Sequence, residues 1–232
     1  MAKIIELKRS ITRSNDEDAA LLRSELSSKG ITLINLMSSP GSGKTTLLSK
    51  TISDFDALSY TVANTPIRIA VIEADIGSDV DALRMEKLGI KALQAHTDGM
   101  CHMDAGMTRR CIESLDLTDT DLVFLENVGN LICPAEFDTG AHINMMLLSV
   151  PEGDDKPLKY PLMFASSDVL LITKTDTLDY FSFDMELCIS RVMRLNPEIK
   201  IFPVSAKTGE GMDAFESYLK AVSSQTPHSC SN

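Results

Sequence analysis

The stretch Ser38-Ser39-Pro40-Gly41-Ser42-Gly43-Lys44-Thr45 decides how this chain folds. It follows an apolar run, Ile31–Met37, and opens a segment of helical character through Thr51. A glycine-rich turn alone is a weak signal. Set between a buried strand and a helix, with Lys-Thr at its end, it reads as a Walker A phosphate loop. Backbone N–H groups of the turn and of the first helical turn then point at phosphate oxygens. Gly41 and Gly43 let the backbone approach closely, and Ser42 and Thr46 complete the phosphate-binding set. Lys44 neutralises β/γ-phosphate charge and the Thr45 hydroxyl ligates Mg²⁺. Ser38 stands where this motif usually has its first glycine.

Outward from the loop, apolar runs alternate with helical segments. Strands are expected at 31–37, 67–74, 91–95, 122–125, 143–150, 169–173 and 199–204. Helices are expected at 19–29, 79–88, 104–115, 185–195 and 212–222. Continuously apolar strands alternating with helices imply a three-layer α/β fold, a mostly parallel sheet with helices on both faces. The expected organisation is an N-terminal extension and helix (1–30), a nucleotide-binding domain (31–222) and a disordered tail (223–232).

The composition supports one α/β domain of ordinary size. The 232 residues are 44% hydrophobic, enough for a substantial core, and 24% charged. The net charge of −11 and the lack of a basic run argue against nucleic acid and anionic membranes as partners. No apolar run is long enough to span a bilayer, and residues 1–18 carry no signal-peptide segment, so a cytoplasmic location is expected. Five cysteines, an odd number, favour metal binding or packing over disulfides.

Two carboxylates end strands beside the loop, Asp75 and Glu126. Ligands of open α/β sheets sit at the carboxyl ends of the strands, so both can reach Mg²⁺ or orient an attacking water. Base choice is read from Thr173-Lys174-Thr175-Asp176, similar to the N-K-x-D guanine motif. The Asp176 carboxylate can accept from both donors of guanine, a pair that adenine lacks, and the Lys174 stem can lie along the base. Thr173 replaces the usual Asn and loses an amide. Ser205-Ala206-Lys207 resembles the second guanine loop, where a backbone N–H meets O6. GTP is therefore expected over ATP.

Cys101-His102 and Cys133 flank the Glu126 strand. Thiolate and imidazole suit Zn²⁺ or Ni²⁺. Three ligands are too few for a closed structural site, and a two-fold dimer would duplicate each of them. Cys111 and Cys188 fall in apolar helical stripes and read as core. His96 and His142 read as surface residues of loops or helices, and His228 and Cys230 lie in the tail.

The stretches SSPGSGKTTLL, CHMDA, ENVGNLICPAEFD and LLSVPEGDDKPLKYPLMF resemble the HypB hydrogenase nickel-incorporation GTPases, over nearly all of 31–222. That resemblance implies a SIMIBI-class P-loop GTPase that dimerises across bound nucleotide. It assigns Cys101, His102 and Cys133 to a Zn²⁺ or Ni²⁺ site near the dimer interface. It also implies a HypA-type metallochaperone and a hydrogenase large subunit as partners. Residues 1–30 hold no Cys or His, so the nickel-storing N-terminal motif of some relatives is not expected.

The expected mechanism is a metallochaperone run by a GTP switch, with Lys44, Asp75 and Glu126 as its catalytic residues and slow turnover, since no arginine finger stands in an obvious place. The competing readings are a urease-type nickel-insertion GTPase, a non-enzymatic nickel or zinc buffer, and a MinD-like ATPase. The last carries a Lys shortly before the loop glycines, where Ser38 and Ser39 stand here.

Overall fold

The computed structural model describes residues 7–57, 61–62, 65–75 and 89–225, with side chains placed for 13–55, 67–74 and 89–223. Its strands are β1 (Thr32–Ser38), β2 (Thr61–Val62), β3 (Thr65–Pro66), β4 (Ile69–Asp75), β5 (Lys91–His96), β6 (Leu122–Glu126), β7 (Ile143–Ser149), β8 (Val169–Thr173) and β9 (Lys200–Val204). Seven of them form one sheet in the order β5-β4-β6-β1-β7-β8-β9. Every pairing in it is parallel. The pair β2–β3 is a separate antiparallel hairpin that the apolar pattern is too short to announce.

Burial explains the order. Every residue of β1 and β8 is buried, as central parallel strands require, whereas the edge strands β5 and β9 are largely half-buried or exposed. Helices α1 (Leu7–Ser28), α2 (Lys44–Ala57), α3 (Ala105–Ser114), α4 (Lys156–Lys159), α5 (Pro161–Ala165), α6 (Met185–Leu195) and α7 (Met212–Gln225) cover the two faces. One face packs α2 and α7 through Leu48, Ile52, Phe215 and Leu219. The other packs α1 and α3 over β4, β6 and β1, and α5 and α6 over β7 and β8. Among the described residues no helix is long and apolar enough to cross a membrane.

Several boundaries differ from the sequence reading. The first helix starts at Leu7, not Ala19. Its first half is polar and lacks a periodic apolar stripe, but tertiary bonds hold it: Asn15 donates to the Asp138 carbonyl (2.8 Å) and accepts from Ala105 N–H (2.9 Å). Nor does α1 stand apart as an extension. Leu22 and Leu26 are buried in the sheet core, each contributing about 1.5–3 kcal/mol relative to exposure. Arg23 also pairs with Asp138 at 2.8 Å. Gly30, at φ +73°, ends α1 with Ile31 N–H on the Leu26 carbonyl and its own N–H on Ser27, a Schellman closure.

At the other end α7 runs on to Gln225, and Ser223 is buried in it rather than opening a tail. His142 is half-buried, not a surface residue: Nδ1 accepts from Leu33 N–H (3.0 Å), and Nε2 lies 2.9 Å from Ser27 Oγ and 3.2 Å from the Arg23 carbonyl. His96 sits exposed at the end of β5. Cys188 is fully buried, its thiol pushed up to about 12 by desolvation, and Cys111 packs half-buried on the α3 side of the core. The helix expected at 79–88 and the tail residues His228 and Cys230 lie outside the described residues.

Candidate functional site

The phosphate loop leaves the end of β1 and enters α2 at Lys44. Gly41 and Gly43 take φ +77° and +101°, values that a side chain would strain, so the loop needs glycine at both places. Ser42 and Lys44 are buried in the loop, Thr45 is half-buried, and Thr46 is exposed on the first turn of α2. The Lys44 ammonium donates to Ser38 Oγ at 2.8 Å, so the residue that departs from the usual glycine is a partner of the loop lysine. Ser39 Oγ donates to Glu152, whose other oxygen accepts from Ser149 N–H (2.8 Å) and Oγ (2.7 Å). Those bonds tie the loop to the turn after β7.

The base side is built from β8 and β9. Thr173 Oγ1 donates to the Ser42 carbonyl at 2.7 Å, so the hydroxyl that stands for the Asn amide grips the phosphate loop directly. Lys174 adopts the left-handed conformation (φ 60°, ψ 39°), and its ammonium donates to the Gly41 carbonyl at 2.7 Å. Asp176 accepts from Ser205 Oγ at 2.7 Å, while the exposed Lys207 ammonium lies 3.5 Å from its other oxygen. The Ser205 hydroxyl, and then the Lys207 charge, hold the Asp176 carboxyl below its ordinary value, keeping it an anion able to accept from a base. Ser205 is fully buried and Ala206 packs half-buried beside it. The fold thus gathers Thr173, Lys174, Asp176, Ser205, Ala206 and Lys207 on one flank of the loop.

The other flank is β6. Glu126 Oε1 accepts from Thr45 Oγ1 at 2.9 Å, bringing two hard oxygen ligands together where Mg²⁺ is expected. Asp75 closes β4, with its Cα in register with His96; its side chain lies outside the described residues. Glu73, which the sequence reading passed over, is buried on β4 and is the register partner of Glu126. Gly129 was also missed. A Cβ there would meet Pro40 at 3.0 Å, so the chain leaving β6 lies directly against the phosphate loop. The E-N-V-G spacing of 126–129 is the signal that could have found it.

That chain then reaches a cluster of soft ligands. Cys101, His102 and Cys133 bring one ligand atom each to within 4.8 Å of one another. Cys101 Sγ lies 2.7 Å from Cys133 Sγ and 3.8 Å from His102 Nδ1. His102 is buried and stacks on Phe137, ring centroids 3.9 Å apart and 14° from parallel. Desolvation lowers its pKa against the opposing pull of Asp104 and Glu136, which favours the neutral imidazole that ligates. Asn130 shapes the turn, accepting from Ile132 N–H (2.7 Å) and Cys133 N–H (3.3 Å) and approaching the Cys133 sulfur at 3.6 Å. The neighbouring thiol holds the Cys133 proton on, a proton that a bound ion would displace. Two thiols and an imidazole at this spacing fit Zn²⁺ or Ni²⁺ as donors. Asp104, two residues after His102, caps α3, accepting from Met107 N–H at 2.7 Å, which fixes where the ligand loop enters the helix.

Residues 32–203 match the family model described as CobW/HypB/UreG, nucleotide-binding domain. The hydrogenase maturation factor HypB of Azotobacter chroococcum is 43% identical over 219 residues, 94% of this chain and 69% of that protein. The chain belongs to the HypB family. The hydrogenase/urease maturation factor HypB of Helicobacter pylori strain J99 is 37% identical over 234 residues, 98% of this chain and 93% of that protein. The crystal structure of HypB from Helicobacter pylori in complex with nickel superimposes with a TM-score of 0.84 at 35% identity, covering 94% of this chain and 99% of that one. As a HypB-family member the chain carries the P-loop nucleotide-binding fold that its sheet order and loop geometry build.

Proposed function

We propose that this chain is a GTP-hydrolysing metallochaperone that assists nickel insertion into the large subunit of a [NiFe]-hydrogenase, with nucleotide state coupled to metal binding and to homodimerisation. The observation that carries the reading is one short segment. It begins at Glu126, bonded to the phosphate-loop Thr45, passes Gly129 against Pro40, and ends at Cys133 in the thiol–imidazole cluster. A change at the phosphates is thereby delivered to a metal ligand seven positions along the chain. Segments of this kind are the ones that a γ-phosphate orders and hydrolysis releases.

Lys44 stabilises charge on the transferring phosphoryl group, and Asp176 selects guanine. Mg²⁺, held by Thr45, Glu126 and Asp75, would supply further charge neutralisation there. Asp75 positions the attacking water. Turnover is slow unless a partner accelerates it. Nickel or zinc is cargo on Cys101, His102 and Cys133, and a second copy completes a shell that three ligands leave open. A HypA-type metallochaperone and the hydrogenase subunit are the expected partners, in the cytoplasm. The Helicobacter pylori relative is described as a hydrogenase/urease factor and is covered over 93% of its length, which favours urease as the second destination to test.

The test has two parts. The purified chain should release phosphate from GTP but not from ATP. Cys101→Ala should lose nickel affinity in calorimetric titration. Absence of phosphate release even with metal present would leave a metal buffer, and unchanged nickel affinity in Cys101→Ala would remove the metal site.

A further inference from the structure

Within β1, a strand buried along its whole length among Leu33 and Met37, stands one amide, Asn35, 1% exposed. An amide in that setting persists when its bonds are made inside the protein. Asn35 Nδ2 donates to Asn144 Oδ1 on β7 at 3.0 Å, and Asn35 Oδ1 accepts from Asn127 Nδ2 at 3.0 Å. Asn127, also 1% exposed, accepts on its own Oδ1 from two backbone groups, Met103 N–H (3.1 Å) and Val128 N–H (2.9 Å). Its backbone N–H closes on the Leu36 carbonyl at 3.0 Å. The orientation of each amide follows from one fixed point. Backbone N–H groups only donate, so Asn127 must face them with oxygen and must face Asn35 with nitrogen.

Met103 follows the ligand His102, and Val128 lies on the path to the ligand Cys133. Asn127 itself follows Glu126, and neighbouring residues at a strand end face opposite sides of the sheet. Glu126 is bonded to the phosphate loop on one face, and Asn127 to the two ligand segments on the other.

We propose that Asn127 is the positioning residue of the Cys101–His102–Cys133 site: its amide clamps the two ligand-bearing segments together and ties both, through Asn35, to the strand that carries the phosphate loop. The proposal rests on the metal-site reading given above and deepens it. Outer partners that orient metal ligands typically govern affinity by about 10- to 100-fold when removed. The clamp also fixes what the site can respond to. A displacement of the Glu126–Asn127 peptide moves the Met103 N–H contact and the start of the Cys133 segment together.

The experiment uses the full chain with Ni²⁺ as the probe, reading affinity and the thiolate-to-nickel charge-transfer absorption beside GDP affinity and thermal unfolding. Asn127→Ala should weaken nickel by about 10- to 100-fold and alter the absorption band, with cooperative unfolding and GDP affinity retained. Asn127→Asp should recover most of that loss. Its carboxylate still accepts from Met103 and Val128, and Asn35 and Asn144 can each turn their amides over to donate along the chain. Should Asn127→Ala fail to fold, Asn35→Ala carries the test, because it keeps the clamp and cuts its side-chain tie to β1, leaving the backbone bond to Leu36. Nickel binding should then persist while its dependence on nucleotide falls away. Wild-type nickel affinity and spectrum in Asn127→Ala, with Cys101→Ala impaired, would overturn the proposal and leave the metal site standing. Unchanged nickel binding in Cys101→Ala would instead remove the site itself.

Discussion

On the β8 side of the phosphate loop, Thr173 and Lys174 each donate to a loop carbonyl at 2.7 Å, and Asp176 is locked to Ser205 at 2.7 Å. On the β6 side, the loop meets its neighbour through the hydroxyl–carboxylate bond of Thr45 to Glu126 and through the bare backbone of Gly129 against Pro40. Regular structure continues on the first side, a six-residue 3₁₀ helix at Thr175–Tyr180 and then α6. On the second side irregular chain leads to the three-residue turn at Cys133–Ala135. On the proposed function the contrast separates recognition from switching. Bonds to loop carbonyls tie the expected base-side residues to the loop. The Thr45 and Glu126 oxygens are the ones that Mg²⁺ would share, so on the proposed function the contact that responds to nucleotide is the one that leads to the Cys101–His102–Cys133 cluster.

Asp176→Asn is the largest test of that division. On the proposed function it removes a charged acceptor whose bonds to the base would be worth about 1.5–3 kcal/mol each, so GTP affinity should fall by roughly 10²-fold in competition binding. Nickel titrated without nucleotide should be unchanged. A parallel loss of nickel affinity would show that the two sides are not separate.

Gly129→Ala probes the moving side. The added methyl meets Pro40 at 3.0 Å, and an overpacked contact of this kind costs about 1–3 kcal/mol. Hydrolysis should slow and the nucleotide dependence of nickel binding should weaken, while guanine selectivity over adenine persists. Full hydrolysis in Gly129→Ala would mean that the chain after β6 does not lean on the loop.

Metal removal sharpens the comparison from the other direction. Cys101 and His102 sit on irregular chain and Cys133 opens a three-residue turn, all outside the β1–β7–β8 core, unlike the ligands of a small zinc-dependent domain. Chelation should leave circular dichroism and cooperative unfolding intact. A collapse of the unfolding transition on chelation would make the site structural.

The smallest expected effect lies at His142, which docks the start of β7 against α1. Burial lowers its pKa, so the unfolded chain takes up a proton first as pH falls through the ordinary histidine range. Its contribution to stability is complete above that range and is lost below it. Thermal unfolding from pH 8 to 5 should fall less steeply in His142→Asn, where Oδ1 can still accept from Leu33. Equal slopes would place the acid sensitivity elsewhere.

The fold was legible because its signals are local. Apolar runs of strand length, a glycine turn opening into Lys-Thr, and glycines at helix ends can each be read within a short stretch of sequence. The first half of α1 was not legible, since its support comes from Asn15 reaching residues 105 and 138, far along the chain. The short helices α4 and α5, with proline in their first turns, are too brief for periodicity to register. At the site, the ligand types and the base motif could be read directly. The partnership of Ser38 with Lys44, the grip of Thr173 on Ser42 and the Asn144–Asn35–Asn127 relay could not. The first depends on how the loop folds back on itself, and the others on pair distances that only the sheet order sets.

The coupling of the two sites is the central claim, and a thermodynamic cycle tests it most directly. The affinity of a non-hydrolysable GTP analogue is measured with and without nickel, and that of nickel with and without the analogue. Coupled sites must shift each other by one common factor, and couplings of this kind run to about 5- to 150-fold. A common factor clearly different from one is the predicted result. Identical affinities in all four arms would contradict the account and leave a nucleotide site and a metal site that share a fold but no switch.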